Sequence, residues 1–243
     1  MINGYLHIAA MGTPAIYSIL GEITGRLLES GLYGKTNSIY VGIVGDAKQA
    51  EEIYDLILKV YPKFVIRYYS QNLGEFEWAT LKWLREDSLA NDEGYVWYAH
   101  TKGVSQMGNL TVHPLTQRNA SWWRNVMCHD IFTKHNDAIQ MLDNGDVAAG
   151  PLFISGPDRY PPDDFGGVVS DIPRHFSGNF WWSKYSYIKT LPVPDMTSRQ
   201  EAEFWIGRGE GTLGALSVNK ETPDYYGFSP MNPVPLEKFP WYN

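Results

Sequence analysis

Apolar and polar positions alternate between two periods along the first hundred residues, and that alternation predicts strand–helix repeats. Tyr5 to Ala10 is a short apolar run and predicts a strand. Pro14 to Ser30 carries Ile16, Ile19, Leu20, Ile23 and Leu27 at helical spacing, with Gly31 as its stop. Ser38 to Gly45 predicts a buried strand. Ala47 to Val60 predicts a helix with Ala50, Ile53, Tyr54, Ile57 and Tyr61 on one face, closed by Pro62. Phe64 to Ser70 predicts a third strand and Glu75 to Ala90 a third helix, with Phe76, Ala79, Trp83 and Leu84 inward. Tyr95 to His100 predicts a fourth strand.

The second half is less regular. Asn119 to Leu142 predicts one long helix, Asp146 to Ser155 a fifth strand, and Gly156 to Pro173 a long loop rich in Gly, Pro and Asp. Phe176 to Ser183 predicts a strand, Tyr185 to Leu191 a helical turn and Arg199 to Ile206 a short helix. From Gly207 the chain is rich in Gly and Pro, and Pro230 to Pro240 reads as a surface strap. Repeated strand–helix–strand units imply α/β architecture: a mainly parallel sheet flanked by helices, in a single domain. Ligands on such sheets bind beyond the carboxyl ends of the strands. The candidate site is therefore the loops Met11-Gly12-Thr13, Gly45-Asp46, Gln71-Asn72 and Thr101-Lys102-Gly103.

Composition narrows the chemistry. Lys plus Arg is 20 and Asp plus Glu is 27, for a net charge of −7. That balance argues against a general nucleic-acid binder, which needs a basic footprint. One cysteine, Cys128, excludes an internal disulfide and a Cys-rich zinc site. No basic segment leads into a long apolar stretch, and no run approaches the ~20 apolar residues of a membrane span. The expected location is the cytoplasm, with contact at a membrane periphery if the acceptor is lipid-linked. Aromatic residues make up 14% of the chain, with 9 Trp and 16 Tyr. They supply core, and flat rings also stack on sugars.

Three segments carry candidate chemistry. Tyr98 to Ser105 (YAHTKGVS) runs a strand into Lys-Gly, which places the compact charge of Lys102 where a diphosphate would sit; the alternative is a solvated lysine in a turn. His175 to Trp182 (HFSGNFWW) sets Ser177, Gly178 and Asn179 beside Trp181 and Trp182. This could floor a sugar ring, although alternation sends the two tryptophans to opposite faces. Glu201 to Ile206 (EAEFWI) holds two carboxylates about 160° apart on a helix, so one can face a site. A carboxylate in an aromatic, partly dry setting has a raised pKa and can act as general base toward a hydroxyl. No Gly-x-Gly-x-x-Gly opens the first helix, as a dinucleotide site would need, and no Ser sits in a Gly-x-Ser-x-Gly elbow.

These words in this order, with Trp123-Arg124, resemble a group of bacterial and large-virus proteins related to GT-A glycosyltransferases. The likeness runs from about residue 5 to residue 207. It implies a GT-A-like catalytic domain over 1–207, with a donor half (1–105), an acceptor half (106–207) and a C-terminal strap (208–243). It also implies a nucleotide-sugar donor, UDP- or GDP-linked, and a glycan or lipid-linked acceptor. On that resemblance Met11, Gly12, Thr13, Asp46, Asn72, His100, Thr101 and Lys102 would bind the donor. His175, Ser177, Gly178, Asn179, Trp181 and Trp182 would face the sugar or acceptor. Glu203, with Glu201 second, would be the base of an inverting reaction. The class usually carries Asp-x-Asp after its fourth strand to hold Mn²⁺ or Mg²⁺. Here that position reads His100-Thr101-Lys102, so Lys102, helped by Arg118 or Arg124, would supply the charge, or His100 would ligate a metal with a distant acid. A non-catalytic carbohydrate- or nucleotide-binding module is the alternative from another class, and a nucleotidyltransferase is a third reading.

Overall fold

The structure, a computed structural model, describes residues 1–107, 109, 111–154, 173–194 and 199–216. The first half contains β1 (Ile2–Ala10), α1 (Ala15–Glu29), α2 (Leu32–Lys35), β2 (Ser38–Gly45), α3 (Ala47–Leu56), β3 (Phe64–Ser70), α4 (Trp78–Ala90) and β4 (Tyr95–His100). The second half contains α5 (Pro114–Cys128), α6 (His135–Asp143), β5 (Asp146–Gly150), β6 (Phe153–Ile154) and β7 (His175–Phe176). These are followed by β8 (Trp181–Lys184), α7 (Tyr185–Ile188), α8 (Arg199–Phe204) and β9 (Thr212–Ala215). The loop predicted over Gly156–Pro173, apart from Pro173 itself, and the strap Pro230–Pro240 lie outside the described residues.

Seven strands form one sheet in the order β3-β2-β1-β4-β8-β5-β9, and β6 and β7 make a small second sheet. In the large sheet β8 runs antiparallel to both β4 and β5, while the other pairings are parallel. This is the mainly parallel, helix-flanked α/β sheet that the periodicity and the GT-A resemblance lead one to expect.

Successive residues of a strand point to opposite faces, and each face here has its own core. Leu6, Ile8, Trp97, Ala99 and Trp182 pack with apolar stripes from α1, α3, α5 and α6. Tyr5, Val96, Tyr98 and Trp181 pack with α4, α7, α8 and Trp205. The register pairs Trp97 with Trp182 and Tyr98 with Trp181. The Tyr98 and Trp181 rings stack at 5.2 Å and 16°. Among the described residues no helix is long and apolar enough to cross a membrane.

The departures from the predicted elements have local causes. The helix predicted from Glu75 begins at Trp78, because residues 73–75 form a 3-10 turn capped by Asn72. The Glu75 carboxylate accepts hydrogen bonds from Tyr68 and Ser70 and ties that turn back to β3. Phe76 then takes φ 46° and is half exposed rather than inward. Tyr54, predicted on the buried face of α3, is also exposed. The long helix predicted over 119–142 widens into a π-turn at residues 129–133, where the Trp182 indole donates to the Ile131 carbonyl at 2.7 Å. The strand predicted over 146–155 breaks at Pro151-Leu152: proline lacks a donor and Leu152 sits at φ 52°. The strand predicted over 176–183 breaks at Gly178 and Asn179, with φ 86° and 56°. Thr212–Ala215, within the predicted strap, is the outermost strand of the sheet.

Candidate functional site

The antiparallel strand of the large sheet builds the site. Because β8 runs against β4, its first residues lie beside the carboxyl end of β4, with Trp181 opposite Tyr98. The turn Ser177-Gly178-Asn179 that feeds β8 therefore arrives next to His100, Thr101 and Lys102. The His100 Nε2 lies 2.8 Å from the Gly178 carbonyl. Positive φ at two successive residues needs glycine or asparagine, which is what the chain supplies at 178 and 179. A Cβ at Gly178 would also collide with the Met127 thioether.

Lys102 and Glu203, chosen from distant parts of the sequence, meet here. The ammonium lies 2.9 Å from Glu203 Oε1, and both side chains are mostly buried. The Gly178 N–H makes a longer contact, 3.5 Å, with Glu203 Oε2. Lys102 also lies over the Trp123 ring, at 5.9 Å. The direction expected for Glu203 is corrected by its partner. Burial pushes its pKa up, but the charge and hydrogen bond of Lys102, with His100 and His175 nearby, hold it below the usual carboxylate range. Glu201 is turned away and pairs with Arg208. Arg124, expected to help on phosphate, is fully buried; it pairs with Glu22 and donates to the Lys102 carbonyl at 2.9 Å. It holds the backbone of Lys102 in place.

Within this cluster the carboxyl whose pKa is raised is Glu77, a residue outside the three segments that carry candidate chemistry in the sequence. It is buried just before α4, and burial is the first cause of the rise. Asn179 Nδ2 donates to its Oε2 at 2.5 Å, Tyr98 donates to the same oxygen at 3.2 Å, and His100 Nδ1 lies 3.4 Å from Oε1. A carbonyl only accepts, so the His100 Nε2 facing Gly178 carries a proton. The contact between His100 Nδ1 and Glu77 then holds one further proton, as imidazolium–carboxylate or as imidazole–carboxylic acid. Two balanced pairs, Lys102 with Glu203 and His100 with Glu77, are thus joined by the Gly178-Asn179 turn. His7 and His175 add no charge near neutral pH. Burial lowers His7 to about 4 and also pushes His175 down.

The periodicity of α4 was the signal for Glu77. Residues 77, 81, 84 and 88 fall on one face, and Leu81, Leu84 and Ser88 are fully buried. Replacing Glu77 by Ala strips partners from Asn179, Tyr98 and His100 together and is expected to cost about 3–5 kcal/mol of stability. Gln at 77 can accept from Asn179 and Tyr98 and donate to His100, so it keeps the contacts without the charge. Because the folded pKa of Glu77 is raised, the folded state holds a proton that the unfolded chain has released. Wild-type stability therefore falls as pH rises from the ordinary glutamate value toward the raised one. Urea unfolding across that window should show the fall in wild type and a flatter profile in Glu77→Gln.

A cleft opens beside this cluster at the carboxyl edge of β1 and β4; Lys102 lines it, and Glu203 lies behind Lys102 rather than on its wall. His7, Glu77, His100, Thr101 and Lys102 line its polar end. Met11, Val44, Leu73 and Phe76 line an apolar wall.

The remaining predicted residues are placed as follows. Thr101 Oγ1 accepts from the Ala9 N–H and ties β1 to β4. Gly12 and Thr13 are held by the Gln49 amide, Asp46 caps α3, and Asn72 caps the 3-10 turn. None of these last four is on the cleft wall. His175 packs on Phe204 and donates from Nδ1 to the Pro173 carbonyl, and Ser177 is buried. Trp181 and Trp182 are both fully buried at the sheet centre, so neither ring has a face open to a sugar. Their indoles donate to Asn179 and to the Ile131 carbonyl.

The residues at the position of the class's Asp-x-Asp do not fit a divalent cation. Both nitrogens of His100 are engaged, Thr101 is bonded to β1 and Lys102 is a cation. Among the described residues no group of three or more His, Cys, Asp or Glu is arranged to hold a metal.

Fold and site together define an α/β protein with a charged cleft at the carboxyl edge of its sheet. Among solved structures the chain is similar to 4-diphosphocytidyl-2C-methyl-D-erythritol synthase, at 12% identity and a TM-score of 0.46, over 88% of each chain. No protein-family model matches the chain, and no curated protein does.

Proposed function

We propose that this chain is a glycosyltransferase that moves a sugar from a nucleoside diphosphate donor, UDP- or GDP-linked, to a glycan or lipid-linked acceptor. The observation that supports it is the 2.9 Å contact of Lys102 with Glu203 at the carboxyl edge of the sheet. One site then offers a cation for a leaving diphosphate and a carboxylate for an incoming hydroxyl. The apolar wall of Met11, Val44, Leu73 and Phe76 suits a flat base, with the half-exposed Phe76 ring at the mouth.

In the reaction the acceptor oxygen bonds to the anomeric carbon as the bond from that carbon to the diphosphate oxygen breaks. The electron pair leaves with the diphosphate, where Lys102 stabilises the charge as it develops. The hydroxyl proton passes to Glu203. A single carboxylate acting on the acceptor corresponds to inversion at the anomeric carbon. Arg124 contributes by fixing the Lys102 backbone.

Calorimetric titration of the wild-type chain with UDP, GDP and their sugars tests the proposal, together with an assay for slow donor hydrolysis. Affinity for a nucleoside diphosphate and release of free sugar are expected. Binding of a glycan with no affinity for any nucleotide would replace the proposal with a carbohydrate-binding module. Release of pyrophosphate from a nucleoside triphosphate would replace it with nucleotidyl transfer.

A further inference from the structure

Lys102 faces two anions in the proposed reaction, the donor diphosphate and Glu203, and in the ligand-free site it already holds one of them. The two pairs in the cluster are balanced, so the site carries no surplus positive charge to offer a phosphate. Facing Glu203 are Lys102 from the loop after β4, His100 from β4, His175 from β7 and Glu77 from the segment before α4. On its own helix Glu201 is turned to Arg208. Of these neighbours, Lys102 alone touches Glu203 as a fixed cation.

We infer that a nucleoside diphosphate binds by drawing Lys102 away from Glu203, so that the donor itself frees the carboxylate that serves as base and raises its proton affinity, with a fraction of the sites taking up a proton there. The proton uptake follows from the surroundings of Glu203. Burial disfavours its charged form, and Lys102 is the main reason that the form persists without ligand. Once the ammonium turns to a phosphate, burial is opposed only by the smaller contributions of His100 and His175, and the negative charge of the phosphate adds to it. The affinity of Glu203 for a proton then rises toward the working range of a general base. Without donor the carboxylate is tied up and a poor base; with donor it is released. The base role rests on the glycosyltransferase reading, whereas competition between phosphate and Glu203 for Lys102 requires only that a nucleoside diphosphate binds.

The test is calorimetry with UDP, and GDP in parallel, without added metal, in two buffers of different ionisation enthalpy. At about pH 7.5 the terminal phosphate, whose pKa is about 6, is itself almost fully ionised. Wild type and Glu203→Gln are compared, and the variant carries the same ligand proton, so the difference isolates the carboxylate. Wild type is expected to take up protons on binding, with affinity falling as pH rises. Glu203→Gln is expected to bind about tenfold more tightly and to lose the uptake. Nucleotide binding with equal affinity and equal proton count in both proteins would overturn the inference and leave the glycosyltransferase reading standing. Absence of uptake in wild type overturns it without recourse to the variant. If neither nucleotide binds either protein, the reading itself fails and the inference with it.

Discussion

Glu203→Gln is expected to lower donor-dependent sugar transfer by about 10²–10⁴-fold, the usual range for loss of a general base. The amide keeps the shape of the side chain and can still accept from Lys102, so the α8 end of the site should stay in place. It cannot take a proton from an acceptor hydroxyl. The loss should appear in kcat, since tighter donor binding by the amide variant does not replace the missing base. An assay of transfer at saturating donor, with affinity measured separately, checks this. Transfer unchanged in the variant would remove Glu203 from the chemistry and point to a retaining route or to another base. Glu201→Gln serves as the comparison, since its carboxylate faces Arg208 rather than the cleft. It should leave kcat within about twofold, as for a surface substitution.

Lys102→Met is expected to weaken nucleoside diphosphate binding by about 10²-fold, from loss of a charge-assisted hydrogen bond worth about 1.5–3 kcal/mol. The same change leaves the Glu203 carboxylate without its counter-ion. Both side chains retain some exposure, 17% for Lys102 and 26% for Glu203, so the stability cost is about 1–3 kcal/mol, below that of a fully buried pair. Adding Glu203→Gln to Lys102→Met should recover most of that stability while restoring none of the binding. Thermal unfolding of the two single variants and the double variant measures the first part, and calorimetry the second. Binding that survives Lys102→Met would place the phosphate elsewhere.

The pairing of Lys102 with Glu203 could be anticipated because each stood out locally. One follows a strand that runs into Lys-Gly, and the other sits on a short late helix rich in aromatics. The parallel half of the sheet was equally legible, since its strands and helices have the two periods that burial on opposite faces imposes. The tryptophans at 181 and 182 misled for a physical reason. Their strand could floor a sugar ring only if one of its faces were open, but β8 inserts between β4 and β5, so both faces of it are covered by helices. Nothing local in a four-residue strand announces which neighbours it will take. Glu77 was hidden by its place at the start of a helix, where an acidic residue ordinarily faces water and favours the helix dipole. The face of α4 that it shares with Leu81 and Leu84 pointed it inward, but the partner that satisfies it, the Asn179 turn a hundred residues away, shows only in the fold. The strand Thr212–Ala215 escaped because a Gly at its centre weakens the strand pattern, and the Asp146 side chain fills the space that a Cβ at Gly214 would occupy.

A crystal structure of the wild-type chain with UDP bound most directly tests whether the cleft beside β4 is a diphosphate site. The account predicts the uracil against the wall of Met11, Leu73 and Phe76, a terminal phosphate oxygen within hydrogen-bond distance of Lys102 Nζ, and the lysine drawn off Glu203. Nucleotide seated away from the carboxyl edge of β1 and β4, with Lys102 still locked on Glu203, would contradict it.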